Sequence, residues 1–179
     1  MKTLPIAALA LSAAAAQAFT VDLLVGTSRP GTEPVAGQYD TNTLAGIALA
    51  WKVSPRVALG VSALHRELEW KGGTTAAGSD DALTGSVDLT FDLGTGKGGL
   101  KPFFGISAGN TWFKTQAGNQ SAFTASAQAG IKLEISDTTD LVLGMRRVHI
   151  ANVDFDNVAG NADESIRAWE PFAGLSFKF

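Results

Sequence analysis

The chain of 179 residues has no cysteine, only two histidines and a slight excess of acid, with a formal net charge of −3. The lack of cysteine fits an exported protein that needs no disulfide. Two histidines without cysteine or i, i+4 spacing give no structural zinc site, and we predict no metal and no cofactor. The acidic balance, without any lysine/arginine-rich arm, argues against a nucleic-acid partner.

Long hydrophobic runs are also missing beyond the N-terminus, where no segment approaches the roughly 20 apolar residues of a membrane-spanning helix. The first 18 residues, MKTLPIAALALSAAAAQA, combine one lysine, an Ala/Leu-rich run and a small-x-small ending. That layout predicts a cleaved signal peptide at 1–18 and leaves 19–179 as one folded domain.

What the remaining sequence does contain is alternation with a period of two. In LTGSVDLTFDL, Leu83, Val87 and Phe91 share one parity, whereas Ser86 and Asp88 take the other. Such alternation indicates β-strands. Eight runs of this kind occur, near residues 19–27, 42–53, 57–70, 83–93, 100–113, 122–135, 141–151 and 165–179.

The connections between these runs alternate in length. Short ones lie at 54–56, 94–99 and 136–140, and longer polar ones at 28–41, 71–82, 114–121 and 152–164. An even number of strands with short periplasmic turns and longer outer loops is typical of bacterial membrane barrels. The sequence therefore predicts an all-β fold: an eight-stranded antiparallel up-and-down transmembrane β-barrel.

Aromatic residues support a membrane barrel over a soluble barrel or sandwich, which period alone would also allow. They fall near the predicted strand ends, where bilayer interfaces select them. The predicted interface aromatics are Trp51, Trp70, Trp112, Trp169, Phe177 and Phe179.

The whole of 19–179 resembles the OmpA-like and OmpX-like small outer-membrane barrels of Gram-negative bacteria. The resemblance is carried by LKPFFGISAG, AQAGIKLEI and the ending FAGLSFKF. It implies location in the cell outer membrane, reached through the periplasm, and a C-terminal recognition signal for the barrel-assembly machinery. Ala173, Leu175, Phe177 and Phe179 match that signal.

Charged residues within the runs predict a lumen filled by ionic side chains, because a barrel of eight strands has room for side chains but no open channel. In the seventh run, strict alternation would turn Arg147 and His149 to lipid. We therefore expect a β-bulge at Arg146–Arg147 that turns both arginines and His149 inward. The predicted lumen network is Asp22, Arg66, Asp88, Asp92, Lys101, Lys132, Glu134, Arg146, Arg147, His149 and Glu170.

A second resemblance joins residues 99–165 to the outer-membrane lipid A deacylases, through GLKPFFGISAG and GMRRVHIANVDFDNVAGNADES. That family implies a His-x-Ser-Asn motif and a later glutamate, which would fall on His149, Asn152 and Glu164. Ala151 stands where the serine is needed, and without a hydroxyl there is no acyl-enzyme route. In this alternative no bulge forms and His149 faces lipid.

The expected function is thus a non-enzymatic outer-membrane barrel with a structural or surface-interaction role in the cell envelope. The expected partners are outer-membrane lipid, lipopolysaccharide and the assembly machinery, and we expect a monomer. Two alternatives stay open: a degenerate relative of the lipid A deacylases, and a narrow pore.

Overall fold

In a computed structural model, residues 18–30, 42–69, 79–94, 99–115, 118–153 and 164–179 are described. Eight strands pair with their sequence neighbours, and β8 pairs with β1 to close the barrel. The strands are β1 Phe19–Pro30, β2 Asn42–Ser54, β3 Val57–Glu69, β4 Ser79–Asp92, β5 Leu100–Thr115, β6 Gly118–Ser136, β7 Thr139–Val153 and β8 Glu164–Lys178. The predicted fold is confirmed. Within the described ranges, no helix is long and apolar enough to cross a membrane.

The predicted strand positions are correct to within a few residues, except at the hairpin of β5 and β6. These strands pair as far as Thr115 and Gly118, so most of the predicted loop 114–121 is strand. Residues 1–17, which carry most of the predicted signal peptide, lie outside the described residues.

Alternation sorts the side chains between the lumen and the outer surface. In β4, Leu83 and Val87 are 48% and 55% exposed, whereas Ala82 and Thr84 of the opposite parity are at most 2% exposed. The apolar parity therefore faces outward, as a lipid-embedded barrel requires. We name the end with the turns at 55–56 and 137–138 the periplasmic end, following the usual rule for such barrels, and the opposite end the outer end.

Side chains fill most of the lumen. One apolar cluster of six, including Phe113, Val148 and Ile150, lies toward the outer end. A second cluster of six, including Leu24, Phe103 and Phe172, lies toward the periplasmic end. Buried charged and hydroxyl side chains occupy the same interior, so the apolar packing must accommodate paired charges.

Candidate functional site

Strand β7 keeps strict alternation through its two arginines. It pairs with β6 and β8 without any register shift at Arg146 or Arg147, and the one irregularity toward its outer end falls between Ile150 and Val153. Arg146, Val148 and Ile150 are each at most 4% exposed and point into the lumen. The predicted bulge at Arg146–Arg147 is therefore wrong.

Arg147 and His149 consequently leave the predicted lumen network and lie on the outer surface. The physical reason is the position of Trp169, which pairs with Arg147 and is 51% exposed. The Arg147 guanidinium lies 4.9 Å from the centre of the Trp169 ring, so a cation–π contact offsets part of the cost of facing lipid. That cost is also small near the membrane interface, where we expect Trp169 to lie.

His149 contacts an arginine instead of a carboxylate on the neighbouring strand. Arg167 pairs with His149 in the ladder, and its Nε–H donates to His149 Nδ1 at 3.4 Å. In a serine–histidine pair the roles are reversed: a carboxylate accepts from Nδ1–H and Nε2 is the base.

The position where the resemblance implies a serine holds Ala151, which has no hydroxyl. Ala151 follows His149 on the outer face and pairs with Phe123, which is 56% exposed. Asn152 and Glu164 belong to β7 and β8, and their side chains lie outside the described ones. The register shift leaves Ala151 and Asn152 facing the stretch of β8 around Ser165, between the pairs Ile150–Ile166 and Val153–Glu164.

Inside the barrel, Glu170 is the centre of a fully buried ionic cluster. Arg66 donates from Nε to Oε1 at 2.6 Å and from Nη2 to Oε2 at 3.1 Å, and Ser28 Oγ donates to Oε1 at 3.1 Å. Arg66 and Glu170 are 2% and 0% exposed. Such a bidentate pair is among the strongest hydrogen-bonded arrangements of charged side chains.

Hydroxyl groups extend this cluster around the barrel wall. Arg66 Nη1 donates to Thr84 Oγ1 at 2.5 Å. Thr84 and Thr111 are joined by a hydrogen bond of 2.6 Å, and Thr111 and Thr124 by another of 2.6 Å. Threonines on three successive strands therefore provide polar partners at a depth where an unpaired guanidinium N–H would be costly.

Arg146 is the second buried cation beside Glu170. It donates from Nη2 to Gln128 Oε1 at 2.8 Å, lies 3.9 Å from Glu170 and packs over the Phe172 ring at 5.4 Å. Its Nη1, Asp22 Oδ1 and Asp88 Oδ2 have no hydrogen-bond partner among the described residues. All three side chains line a cavity of about 40 Å³, large enough for two or three waters at roughly 10–15 Å³ each.

The rest of the predicted network lies toward the periplasmic end. Lys101 pairs with Glu134 at 2.7 Å, Lys178 with Asp140 at 2.8 Å, and Lys132 with Asp22 at 3.7 Å. Asp92 shares the inward parity of its ladder partner Phe103. Sequence reasoning missed Asp140, although its place one residue after a short turn and its parity with Val142 could have identified it.

The predicted interface aromatics lie on the outer surface wherever they are described. Trp112 and Phe179 are 49% and 67% exposed, Trp51 and Phe177 are half-buried, and Trp70 lies outside the described residues. Phe19, which sequence reasoning did not include, stacks on Phe179 at 5.0 Å between ring centres. Ala173, Leu175 and Phe177 share the outward parity, with Leu175 39% exposed.

A second surface feature is an open groove of about 560 Å³ around Trp112 at the outer end of β3 to β6. It holds His65, whose Nε2 lies 3.1 Å from Asp81 Oδ1, and Ser121. The ladder places Leu83 and Trp112 between His65 and Ser121, three strand spacings of about 4.8 Å apart. A hydroxyl at that separation cannot pass its proton to the ring.

A closed eight-stranded barrel with an apolar outer wall and a lumen filled by side chains has the architecture of a small outer-membrane barrel. This chain belongs to the family described as "Lipid A 3-O-deacylase (PagL)", which matches residues 43–159 and so includes His149, Ala151 and Asn152. No curated protein sequence matches the chain significantly.

Solved structures share the fold at low sequence identity. Neisserial surface protein A is 16% identical with a TM-score of 0.67, over 90% of this chain and 99% of that one. Outer membrane protein OprG from Pseudomonas aeruginosa is 12% identical with a TM-score of 0.63, over 92% and 96%. The outer membrane enzyme PagL is 17% identical with a TM-score of 0.53, over 87% and 97%. The shared fold and the family support location in the outer membrane.

Proposed function

We propose that this chain is a non-catalytic member of the lipid A deacylase family, with a structural or surface-interaction role in the outer membrane. It is exported by the signal peptide 1–18, inserted by the barrel-assembly machinery through the ending at Phe179, and works as a monomer in contact with lipopolysaccharide. The observation that carries the proposal is Ala151, on the outer face beside His149, where an acyl-transfer site needs a hydroxyl.

The contacts of His149 support the same proposal. The partner of His149 Nδ1 is Arg167, whereas a carboxylate orients the histidine of a serine–histidine pair. Two separate features of the site, Ala151 and the arginine beside His149, therefore disfavour hydrolysis.

The filled lumen supports a structural role over a narrow pore. Within the described residues, the interior cavity beside Arg146 measures about 40 Å³, and the two apolar clusters pack on both sides of the ionic cluster. Paired buried charges of this kind close a small barrel rather than conduct ions.

The experiment is a lipid A assay on the refolded, lipid-reconstituted barrel, with mass spectrometry of the lipid product. We expect no release of fatty acid by the wild type beyond that of His149→Ala, and unchanged lipid A in cells that express either protein. Release of an ester-linked chain by the wild type, with loss of that activity in His149→Ala, would overturn the proposal.

The register irregularity favours one second candidate, a hydrolase with its hydroxyl on β8. Ser165 has the outward parity of Arg167 and lies in the stretch that faces Ala151 and Asn152. In that candidate Ser165 Oγ attacks the ester carbonyl, the alcohol leaves with a proton, and water later cleaves the acyl-serine. The same assay separates the candidates, because Ser165→Ala abolishes release in this one and changes nothing in the first.

A further inference from the structure

Three charged side chains around the cavity of about 40 Å³ each have one buried polar atom without a partner among the described residues. These atoms are Arg146 Nη1, Asp22 Oδ1 and Asp88 Oδ2, and all three side chains line this space, which we name the lumen cavity. Asp88 interacts electrostatically with both Arg146 and Asp22, so the three groups lie near one another. Because buried polar atoms without partners are costly, we expect the lumen cavity to hold a ligand that satisfies all three.

Small side chains of β2 and β3 leave the space for this ligand. Their contribution to the lining of the lumen cavity is Ala48, Leu49, Ala50, Gly60 and Ser62. Ser62 is the one residue of this set with a polar side chain, and its Oγ is already hydrogen-bonded to Ser86 at 2.8 Å. The wall on this side therefore supplies volume and no partner for the charged groups opposite, and the volume admits only a ligand of a few non-hydrogen atoms.

The charges around the lumen cavity favour a neutral ligand. Lys132 also lines it and lies 3.7 Å from Asp22, so two cations face two carboxylates. Arg146 and Lys132 would repel a metal ion, and Asp22 and Asp88 would repel an anion. Water donates hydrogen bonds to carboxylate oxygens and accepts one from a guanidinium N–H, so a single kind of molecule satisfies all three atoms.

The basic side chains of the lumen show from which end water arrives. Their exposed fraction falls from the periplasmic mouth inward: Lys178 30%, Lys101 24%, Lys132 17%, Arg146 5% and Arg66 3%. Solvent therefore reaches the lumen cavity from the periplasmic end. The buried pair of Arg66 and Glu170 ends this path, which is why a hydrated space here is compatible with a closed barrel.

We propose that the lumen cavity is a hydration site, in which roughly two or three water molecules from the periplasmic end bridge Arg146 to Asp22 and Asp88. Arg146 Nη1 lies 3.9 Å from Glu170, too far for a hydrogen bond, so this N–H is free to donate to water. The waters connect the pair of Lys132 and Asp22 with the central ionic cluster. The site lies inside the lumen, so it does not depend on whether His149 takes part in catalysis.

The test is solid-state NMR of the full barrel in lipid bilayers, with labelled arginine and magnetisation transferred from water to the guanidinium nitrogens. Arg66 is the internal control, because its donors go to Glu170 and Thr84 and it is as deeply buried as Arg146. We expect rapid transfer to Arg146 and none to Arg66 at short mixing times. Absence of transfer to Arg146, or equal transfer to both arginines, would overturn the proposal.

A variant that fills the lumen cavity tests the location of the water. Ala48→Leu should abolish the transfer to Arg146, because the larger side chain occupies the space that Ala48 leaves open. Ala63→Leu is the matched control, since Ala63 is exposed on the outer surface and pairs with the outward-facing Ile47. Folding is checked by heat-dependent migration on gels. An unchanged Arg146 signal in folded Ala48→Leu would contradict the proposal, and the wild-type comparison decides if this variant does not fold.

A bound cation is the competing occupant of the lumen cavity, and salt identity separates it from water. Urea-induced unfolding is measured in sodium chloride and in N-methylglucamine chloride at equal ionic strength. We expect the same stability in both salts, because water needs no small cation. Higher stability in sodium chloride that disappears in Asp22→Asn would show a cation between the carboxylates and would refute a neutral ligand.

Discussion

At the scale of single residues, Glu170 is the carboxylate at the centre of the buried ionic cluster. It is fully buried, accepts two hydrogen bonds from Arg66 and lies 3.9 Å from Arg146. Two guanidinium groups therefore depend on one carboxylate. Removing one partner of a buried pair is costly because the remaining charge stays in a medium of low dielectric constant.

Glu170→Gln should lower the free energy of unfolding by about 3–5 kcal/mol, since the amide fills the same space but leaves buried Arg66 without its counter-ion. The measurement is urea-induced unfolding in lipid vesicles. Glu134→Gln is the control, because Glu134 pairs with Lys101 at the exposed periplasmic end. There we expect a much smaller loss of stability, because a solvent-exposed ion pair contributes little. A smaller loss for Glu170→Gln than for Glu134→Gln would contradict this account of the lumen.

Glycine allows a large ring to cross the narrow lumen at one position in β7. A Cβ on Gly144 would lie 2.4 Å from Phe172 Cζ, which shows that the ring rests directly on the glycine backbone. Gly144→Ala should therefore destabilise the barrel by about 1–3 kcal/mol through forced repacking of Phe172. Gly85→Ala is the control in the same unfolding measurement, because its Cβ would meet only the far edge of the exposed Trp112 ring at 3.1 Å. Equal losses at the two positions would show that the buried ring moves freely.

At the scale of the strands, alternation together with the loop lengths predicts the eight-stranded barrel, which is confirmed. Asp22, Arg66, Lys132 and Glu170 belong to strands with one clear apolar parity, and each lies inward as expected. The prediction for β7 is wrong because both parities contain an arginine, and only a bulge would turn both arginines away from lipid. What the local sequence cannot show is the neighbour on β8: Trp169 makes the outward position of Arg147 acceptable.

A cysteine scan from position 145 to 151 tests the register of β7 in a chain with no native cysteine. Labels at 145, 147 and 149 should be quenched by a lipid-soluble quencher, and labels at 146, 148 and 150 should not. Quenching at 148 and 150, without quenching at 147 and 149, would show that the bulge is present and that His149 faces the lumen.

At the scale of the whole molecule, the inner and outer faces of the barrel wall differ in composition. The inner side concentrates paired charge between two apolar clusters, and the outer side carries mainly aliphatic and aromatic residues. Family membership rests on residues 43–159, whereas the proposed lack of catalysis depends on the single residue Ala151. A fold of this kind supports many functions, so the function has to be argued from the site.

Closure of the lumen makes a prediction about conduction. Phe103 and Phe172 line the cavity of about 40 Å³ and are 4% and 6% exposed, so their rings occupy most of the space near the ionic cluster. In planar lipid bilayers the wild type should give no steady conductance steps. Phe103→Ala/Phe113→Ala should give small ones, because these two rings belong to the two apolar clusters that close the lumen on either side of the ionic cluster.

The matched control is Phe104→Ala/Phe123→Ala, which removes two rings that are 40% and 56% exposed on the outer surface. This variant loses the same number of aromatic groups but leaves the lumen filled, so it should stay silent like the wild type. Steps from the wild type or from this control would show that ions follow a path other than the one the rings close. The barrel would then have to be treated as a narrow pore, with Arg146 and Glu170 at its constriction.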